Sequence, residues 1–271
     1  MKTEQVKQVT DKALGQLITA LEQGQSATLT RYLAAIARFH RYSFNNVMLI
    51  YTQREDASNV AGFQTWRKLG RFVRKGEKGI LILAPMIFKN AQAESAKTDE
   101  EKTIVRFKAA YVFDVSQTDG EPLPEFATVQ GDPADHLERL KQFVSGRGIG
   151  LEYSPSIAPA RGVSRGGSIA LLPGLSLADE FAVLSHEIAH EMLHRGERRA
   201  QTNKIIRETE AEAVAFVVCQ SIGLETGTAA SDYIQLYSGD HETLAASLEV
   251  IQQTACEIIA ALRPQVEDQP D

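Results

Sequence analysis

The residues best equipped for chemistry are two histidines four apart with a glutamate beside the first, His186-Glu187-Ile188-Ala189-His190. Four residues of α-helix advance about 400°, so His186 and His190 leave one face a turn apart and their imidazoles converge on one point. Glu187, rotated about 100° from His186, flanks that point without occupying it. Two neutral imidazoles with an adjacent carboxylate are what a hydrolytic zinc requires: the metal acidifies water, and the carboxylate takes the proton and passes it to a leaving amine. Glu187 is therefore the expected catalytic base. The cofactor expected from this pattern is one zinc ion per chain.

Such a site needs a third protein ligand. Arg207-Glu208-Thr209-Glu210-Ala211-Glu212-Ala213 supplies three acids on a following helix. Glu208 and Glu212 share a face at i, i+4, whereas Glu210 points about 200° away. The acids lie among alanines and lead into Phe216-Val217-Val218, so the neighbouring face is apolar, and a carboxylate taken from water needs a cation or donors. Glu208 is the preferred ligand, with Glu212 behind a ligating histidine and supporting its N–H; the reverse assignment stays open. His194 continues the histidine series but drifts around the helix, and reads as a packed or supporting histidine. His40, His136 and His241 fall in no ligand spacing.

The elements that must position these groups follow from periodicity and turn chemistry. Ser176 or Asp179 can cap a helix reaching His194, with Leu177, Phe181, Leu184, Ile188 and Met192 as its apolar positions. Further helices are expected at about Lys204–Ile222 and Glu242–Leu262, after a helix at Ala134–Ser145, a strand at Ile149–Tyr153, a glycine-rich turn at Ser164–Ser168 and a strand at Ile169–Leu172. Residues 5–56 read as helices. Phe63–Leu69 is a short helix ended by Gly70, Ile80–Leu83 a strand stopped by Pro85, and Thr103–Val115 a second strand. Residues 90–102 are an exposed tip, and the proline- and glycine-rich stretch near 121–133 is a linker. The fold class is α+β: N-terminal helices on a small antiparallel sheet over 1–120, and a zincin-like metallopeptidase domain over 134–271. Its sheet edge would be available to an extended substrate.

Composition agrees with a folded domain pair: 271 residues, 43% hydrophobic and 24% charged. The polar start MKTEQVKQVT and the lack of a membrane-length apolar run predict a cytoplasmic protein with no membrane partner. Cys219 and Cys256 lie in apolar stretches and read as small buried hydrophobes in a reducing compartment. Charge is unevenly divided. Between Arg31 and Lys89 eleven basic residues face three acidic ones, a balance of +8 that leaves −14 on the remainder of a chain whose net charge is −6. Within the basic part, Arg41, Tyr42, Asn45, Trp66, Arg67, Lys68, Arg71, Arg74, Lys75 and Lys78 mix cations, aromatics and amides. Phe44 and Phe72 lie among them, and Gly76 and Gly79 would let backbone N–H groups near phosphates. That mixture suits single-stranded nucleic acid, whose bases stack on aromatic faces while cations track the backbone. A solvated basic face with Trp66, Phe63 and Phe44 in the core is the competing interpretation.

Glu208-Thr209-Glu210-Ala211-Glu212-Ala213-Val214-Ala215 after the histidine helix resembles the ImmA/IrrE-type metallopeptidases and, more closely, the ArdC antirestriction proteins. The N-terminal half is similar to the ArdC single-stranded-DNA-binding domain at Tyr42-Ser43-Phe44-Asn45-Asn46, Ala61-Gly62-Phe63 with Trp66, Val73–Ile80 and Val112-Phe113-Asp114-Val115. The resemblance spans roughly residues 10–120 and 165–260. It implies His186, His190 and Glu208 as ligands, Glu187 as base, single-stranded DNA as partner, a protein or peptide substrate of unknown identity, and a mobile-element protein opposing restriction. Glu212 departs from the family's usual Asn or Asp. Two other functions remain in play: a DNA-binding factor whose metal site does not turn over, and a regulatory protease of the ImmA/IrrE sort that cleaves a repressor.

Overall fold

The computed structural model describes residues 11–12, 14–19, 26–88, 104–121, 133–224 and 241–263. The expected tip at 90–102 and nearly all of the linker at 121–133 lie outside them, as does most of the first expected helix, of which 11–12 and 14–19 are helical. The protein is α+β. Among the described residues the α-helices include α1 (Ser26–Arg38), α2 (Phe44–Gln53), α3 (Phe63–Lys68), α4 (Pro133–Gly146), α5 (Leu177–Leu193), α6 (Gly196–Gln201), α7 (Lys204–Ser221) and α8 (His241–Ala261). The strands are β1 (Val60–Gly62), β2 (Arg71–Val73), β3 (Ile80–Phe88), β4 (Ile104–Asp114), β5 (Thr118–Gly120), β6 (Gly150–Tyr153), β7 (Gly162–Ser164) and β8 (Ser168–Leu171).

The chain forms two compact units, and the division is discontinuous. Ser43–Leu123 with Met1–Gly15 make one; Pro124–Asp271 with Gln16–Tyr42 make the other. Helix α1 therefore belongs with the C-terminal unit, where it packs on α7 and α8, rather than with the stretch 1–120 that sequence continuity suggests. The cause lies in its pattern. Leu29, Tyr32, Leu33 and Ile36 recur at helical spacing and are all buried, and such an apolar stripe packs wherever a complementary face exists.

In the first unit an antiparallel sheet of order β1-β4-β3 packs α2 against β3, burying Val47, Met48, Leu49, Ile50, Trp66, Ile80, Ile82 and Val112. Strand β3 runs through Pro85 instead of stopping there. It is an edge strand, and the register pairs Ile80 with Val112 and Pro85 with Phe107, so a residue without an N–H is tolerated on its outer side. Two amides of α2 cover that outer side. Asn46 donates to the Leu83 carbonyl (2.9 Å) and accepts from its N–H (2.8 Å); Gln53 does the same with Leu81, at 3.0 and 2.9 Å. A two-stranded β2–β5 ribbon completes the unit. These three-residue strands are too short to leave a period in sequence.

Asp114 ties the unit's loops together. Its Oδ2 accepts from the N–H groups of Ser58 (2.8 Å) and Asn59 (3.0 Å), and its Oδ1 from the N–H (2.9 Å) and hydroxyl (2.6 Å) of Ser116. Burial alone would raise its carboxyl, but these donors outweigh it and hold the group below the ordinary carboxylate range.

The second unit is helical around α7, which packs on α5, α8 and α1. Ala213 through Cys219 are all buried, so this helix is apolar all round because it is central. A sheet of order β6-β8-β7, with β6 parallel and β7 antiparallel to β8, lies beside α5. Strand β7 and helix α6 were not expected from the sequence. The free thiols of Cys219 and Cys256 are pushed up by burial, to about 12 and about 11. Among the described residues no helix is long and apolar enough to cross a membrane.

Replacing Asp114 by Ala should destabilise the first unit by about 3 kcal/mol, since buried N–H groups lose a charged acceptor. Because the folded carboxyl is depressed, its contribution is complete above the unfolded value near ~3.9 and disappears as pH falls through the folded value. Denaturant melts from pH 7 to pH 2 of wild type and Asp114→Ala check both: the difference between them should be full at neutral pH and shrink in acid.

Candidate metal centre

Ser176 caps α5, its side chain accepting from the Asp179 N–H at 3.1 Å, and Asp179 and Glu180 occupy the first turn where negative charge suits the helix dipole. Three turns on, the helix delivers His186 and His190 with their Nε2 atoms 3.0 Å apart. Helix α7, started by Asn203 accepting from the Ile206 N–H at 2.9 Å, brings Glu208 opposite them. Its Oε2 lies 3.6 Å from His186 Nε2 and 3.5 Å from His190 Nε2. One ligand atom from each of His186, His190 and Glu208 falls within 4.8 Å of the others. Glu212 stands behind His186, with its Oε2 3.2 Å from Nδ1. The structure thus groups Glu208 with the two Nε2 atoms and sets Glu212 against the outer nitrogen of one of them.

The electrostatics follow. Burial disfavours a charge on His186, yet hydrogen bonds to Glu208 and Glu212 and the nearby Glu187 hold its imidazole up at about 9. Glu208 is in turn depressed far below the carboxylate range, chiefly by its hydrogen bond to His186. Glu187 behaves oppositely: burial raises it, against the pull of His186, His190 and the Ser164 N–H. A poised, partly desolvated carboxyl beside three converging donors fits a divalent ion, since two imidazole nitrogens and one carboxylate oxygen are a donor set that zinc and its neighbours accept.

His186, Glu187, Glu208 and Glu212 line a cleft of about 590 Å³ shared with Arg161, Gly162, Ala182, Val183, Ala215, Phe216 and Leu224. Gly162 is there for want of room. A Cβ on it would come within 2.6 Å of Val183 Cγ1 and 2.8 Å of Glu187 Cγ and Oε1. Strand β7 is held to α5 by Glu191, a buried carboxylate whose Oε1 accepts from the Ser164 hydroxyl (2.5 Å) and the Gly166 N–H (2.8 Å), while Oε2 accepts from the Gly167 N–H (2.8 Å) and pairs with Arg195. Presenting two successive N–H groups this way takes positive φ at Gly166 (75°) and Gly167 (123°).

Sequence reasoning passed over Gly162, Ser164 and Glu191, since nothing local marks a glycine or a helix glutamate as a contact to another element. It also placed Glu210 aside as merely pointing away. The structure makes Glu210 the fully buried acid of α7, met by His194, Arg198 and Ser247. Burial alone would raise it; those donors hold it low. His194 is also buried and held below the ordinary histidine range by desolvation.

The residues expected at a nucleic-acid surface disperse. Trp66 is a correction: it is buried, with Nε1 donating to the Phe113 carbonyl at 2.9 Å, so no base can stack on it. Arg71 is spent on Thr118, Gly120 and Glu121, and Arg74 on Glu77, Asp119 and Ser116. Arg41 and Tyr42 fall in the second unit, Asn45 in the first. Arg67, Lys68, Lys75 and Lys78 are exposed, as expected. Among the described residues the exposed aromatics of the first unit are Phe72, as expected, with Phe63, Phe107 and Tyr111. Phe107 and Tyr111 share one face of β4 with Phe113, which meets Phe63 edge-on at 6.5 Å. Strand alternation in Phe107–Phe113 was the available signal.

Residues 4–113 match the family described as the N-terminal domain of anti-restriction factor ArdC. An uncharacterized protein of Bacillus anthracis, pXO2-81, is 23% identical over 313 residues that take in 98% of this chain; the chain spans about half, 53%, of that relative's length. Two crystal structures of the antirestriction ArdC protein from the R388 plasmid share the fold with a TM-score of 0.56. One is metal-free, at 20% identity with 94% of this chain and 97% of that one covered; the other is Mn(II)-bound, at 19% identity with 94% and 96% covered. Residues 4–113 are thus similar to the ArdC N-terminal domain, and the fold as a whole is similar to that of the R388 ArdC protein.

Proposed function

We propose that this ArdC-like chain is an antirestriction-type protein that binds single-stranded DNA through its N-terminal domain and carries a zinc-dependent metallopeptidase site in its C-terminal unit. The observation that carries the reading is the convergence of His186, His190 and Glu208 on one point beside the buried carboxyl of Glu187. His186, His190 and Glu208 would hold one divalent ion per chain. Zinc is the proposed ion, and the Mn(II)-bound state of the R388 relative supports a divalent ion at such a site. When bound, the ion supplies Lewis-acid chemistry, acidifying water and polarising a carbonyl.

The protein's own groups do the rest. Glu187, raised by burial, takes a proton at its carboxylate and returns it to the leaving amine. The Ser164 N–H and the bare Cα of Gly162 fix that carboxylate. Strand β7 is a sheet edge, against which an extended segment of a protein substrate can pair. In the first unit Phe107 and Tyr111 offer stacking faces, and Arg67, Lys68, Lys75 and Lys78 offer phosphate contacts. The proposed setting is the cytoplasm, where incoming DNA meets restriction.

Metal analysis should find one ion in the wild type and none in His190→Ala. Glu208→Ala should weaken binding more than Glu212→Ala; the opposite order would exchange their roles.

DNA binding separates stacking from charge. Tyr111→Ala and Phe107→Ala should each weaken single-stranded DNA binding by about 1–3 kcal/mol with an unaltered salt slope. Lys75→Ala and Lys78→Ala should each reduce the slope by about 0.7. Equal affinity for duplex would sink the single-strand assignment.

Glu187→Ala should keep the metal and the DNA while losing about 10²–10⁴ in peptidase rate. We expect it to retain most protection of DNA in a restriction assay, because the basic domain shields DNA stoichiometrically. A variant that binds both ligands normally yet gives no protection would make proteolysis the mechanism.

A further inference from the structure

The two histidines of the centre are supported differently on their outer nitrogens. His186 Nδ1 meets a carboxylate directly, Glu212 at 3.2 Å. His190 Nδ1 meets another imidazole, His194 Nδ1 at 2.9 Å, whose far nitrogen Nε2 lies 3.0 Å from Glu210 Oε2. Oε1 of the same carboxylate accepts from Arg198 of α6 (2.6 Å) and Ser247 of α8 (2.6 Å). His194 and Glu210 are both wholly enclosed.

We propose that Glu210 is a positioning residue for the metal centre, acting through His194 to fix the tautomer of His190, an inference that rests on the metal reading above only in its last step. A carboxylate can only accept, so His194 must donate from Nε2. Arg198 already neutralises Glu210, so a neutral His194 suffices, and its Nδ1 is then an acceptor. The His190 nitrogen facing it must therefore be the donor. Its other nitrogen, Nε2, is left with a lone pair directed to where Glu208 and His186 converge. Hydrogen-bond direction is thus set at a buried acid two imidazoles away and transmitted to the cleft. A ligating histidine ordinarily hands its N–H to a carboxylate, carbonyl or water; here the acceptor is a histidine, which transmits correctly in only one of its two neutral forms.

Long-range ¹H–¹⁵N correlation of the imidazoles tests the assignment on the metal-free wild type. His190 should carry its proton on Nδ1 and His194 on Nε2; His190 protonated on Nε2, or His194 on Nδ1, overturns it. Glu210→Gln gives the sharper result. Arg198 and Ser247 both donate, so the amide oxygen must face them and the NH₂ must face His194. Both tautomers should then reverse, turning the His190 Nε2–H toward His186 and Glu208, and zinc affinity in a competition titration should fall by about 10–100-fold. Ser247→Ala removes one donor, keeps the carboxylate and should keep both tautomers. A folded Glu210→Gln with unchanged tautomers and wild-type zinc affinity would refute the proposal, and if that variant does not fold, the wild-type spectrum decides. A wild type that takes up no zinc but shows the stated tautomers would defeat the metal reading and leave the hydrogen-bond direction established.

Discussion

A carboxylate withdrawn from water costs several kcal/mol unless donors replace its hydration, and this protein withdraws four in its described part that its architecture then serves: Asp114, Glu187, Glu191 and Glu210. Three are saturated. Asp114 draws the loop at Ser58 and Asn59 and the turn at Ser116 around itself; Glu191 draws the β7–β8 turn onto α5; Glu210 gathers α5, α6 and α8 onto α7. Glu187 is the exception. It has a backbone donor and two neighbouring imidazoles, too little to hold it low, and of the four it is the one that lines the cleft. Saturated carboxylates make framework, and the undersatisfied one keeps the raised carboxyl that the proposed proton transfer would use.

The helical parts of this arrangement were legible in the sequence because their signals are local. His186, Glu187 and His190 need only the pitch of one helix to converge, and the Ser176 cap and the apolar stripes of α5, α7 and α8 stand within a few residues of what they organise. A second helix with Glu208 and Glu212 on one face was legible too, but which of the two meets the Nε2 atoms depends on how the helices pack. What was not legible depends on contacts between elements. No feature near Glu191 announces that it will accept from Gly166 and Gly167, and no feature near Glu210 announces His194. A three-residue strand such as β7 makes its whole contribution through pairing, so it leaves almost no periodic trace.

The first unit teaches a related point about aromatic residues. Trp66 sits between cations in sequence and invites a stacking role, but six residues of helix turn it inward, where its N–H finds the Phe113 carbonyl. Phe107 and Tyr111 lie in a strand and alternate with residues of the opposite face, so a strand with one packed side must present them outward. Chain neighbours found Phe72 but misplaced Trp66; the face of its element decides whether an aromatic is exposed. The same holds for cations, since Arg71 and Arg74 look available in a list of charges and are instead the braces of a ribbon.

The amides of Asn46 and Gln53 have a consequence for how copies of this protein can coexist. Leu81 and Leu83 are the outward positions of an edge strand, and two residues further on the outward position is Pro85, which has no N–H to offer. From 81 to 85 the edge is therefore closed to any additional strand, by two side-chain amides that imitate one and by a proline that refuses one. Open sheet edges knit neighbouring proteins into aggregates at high local concentration, and a rim sealed in this way withholds that route from this strand.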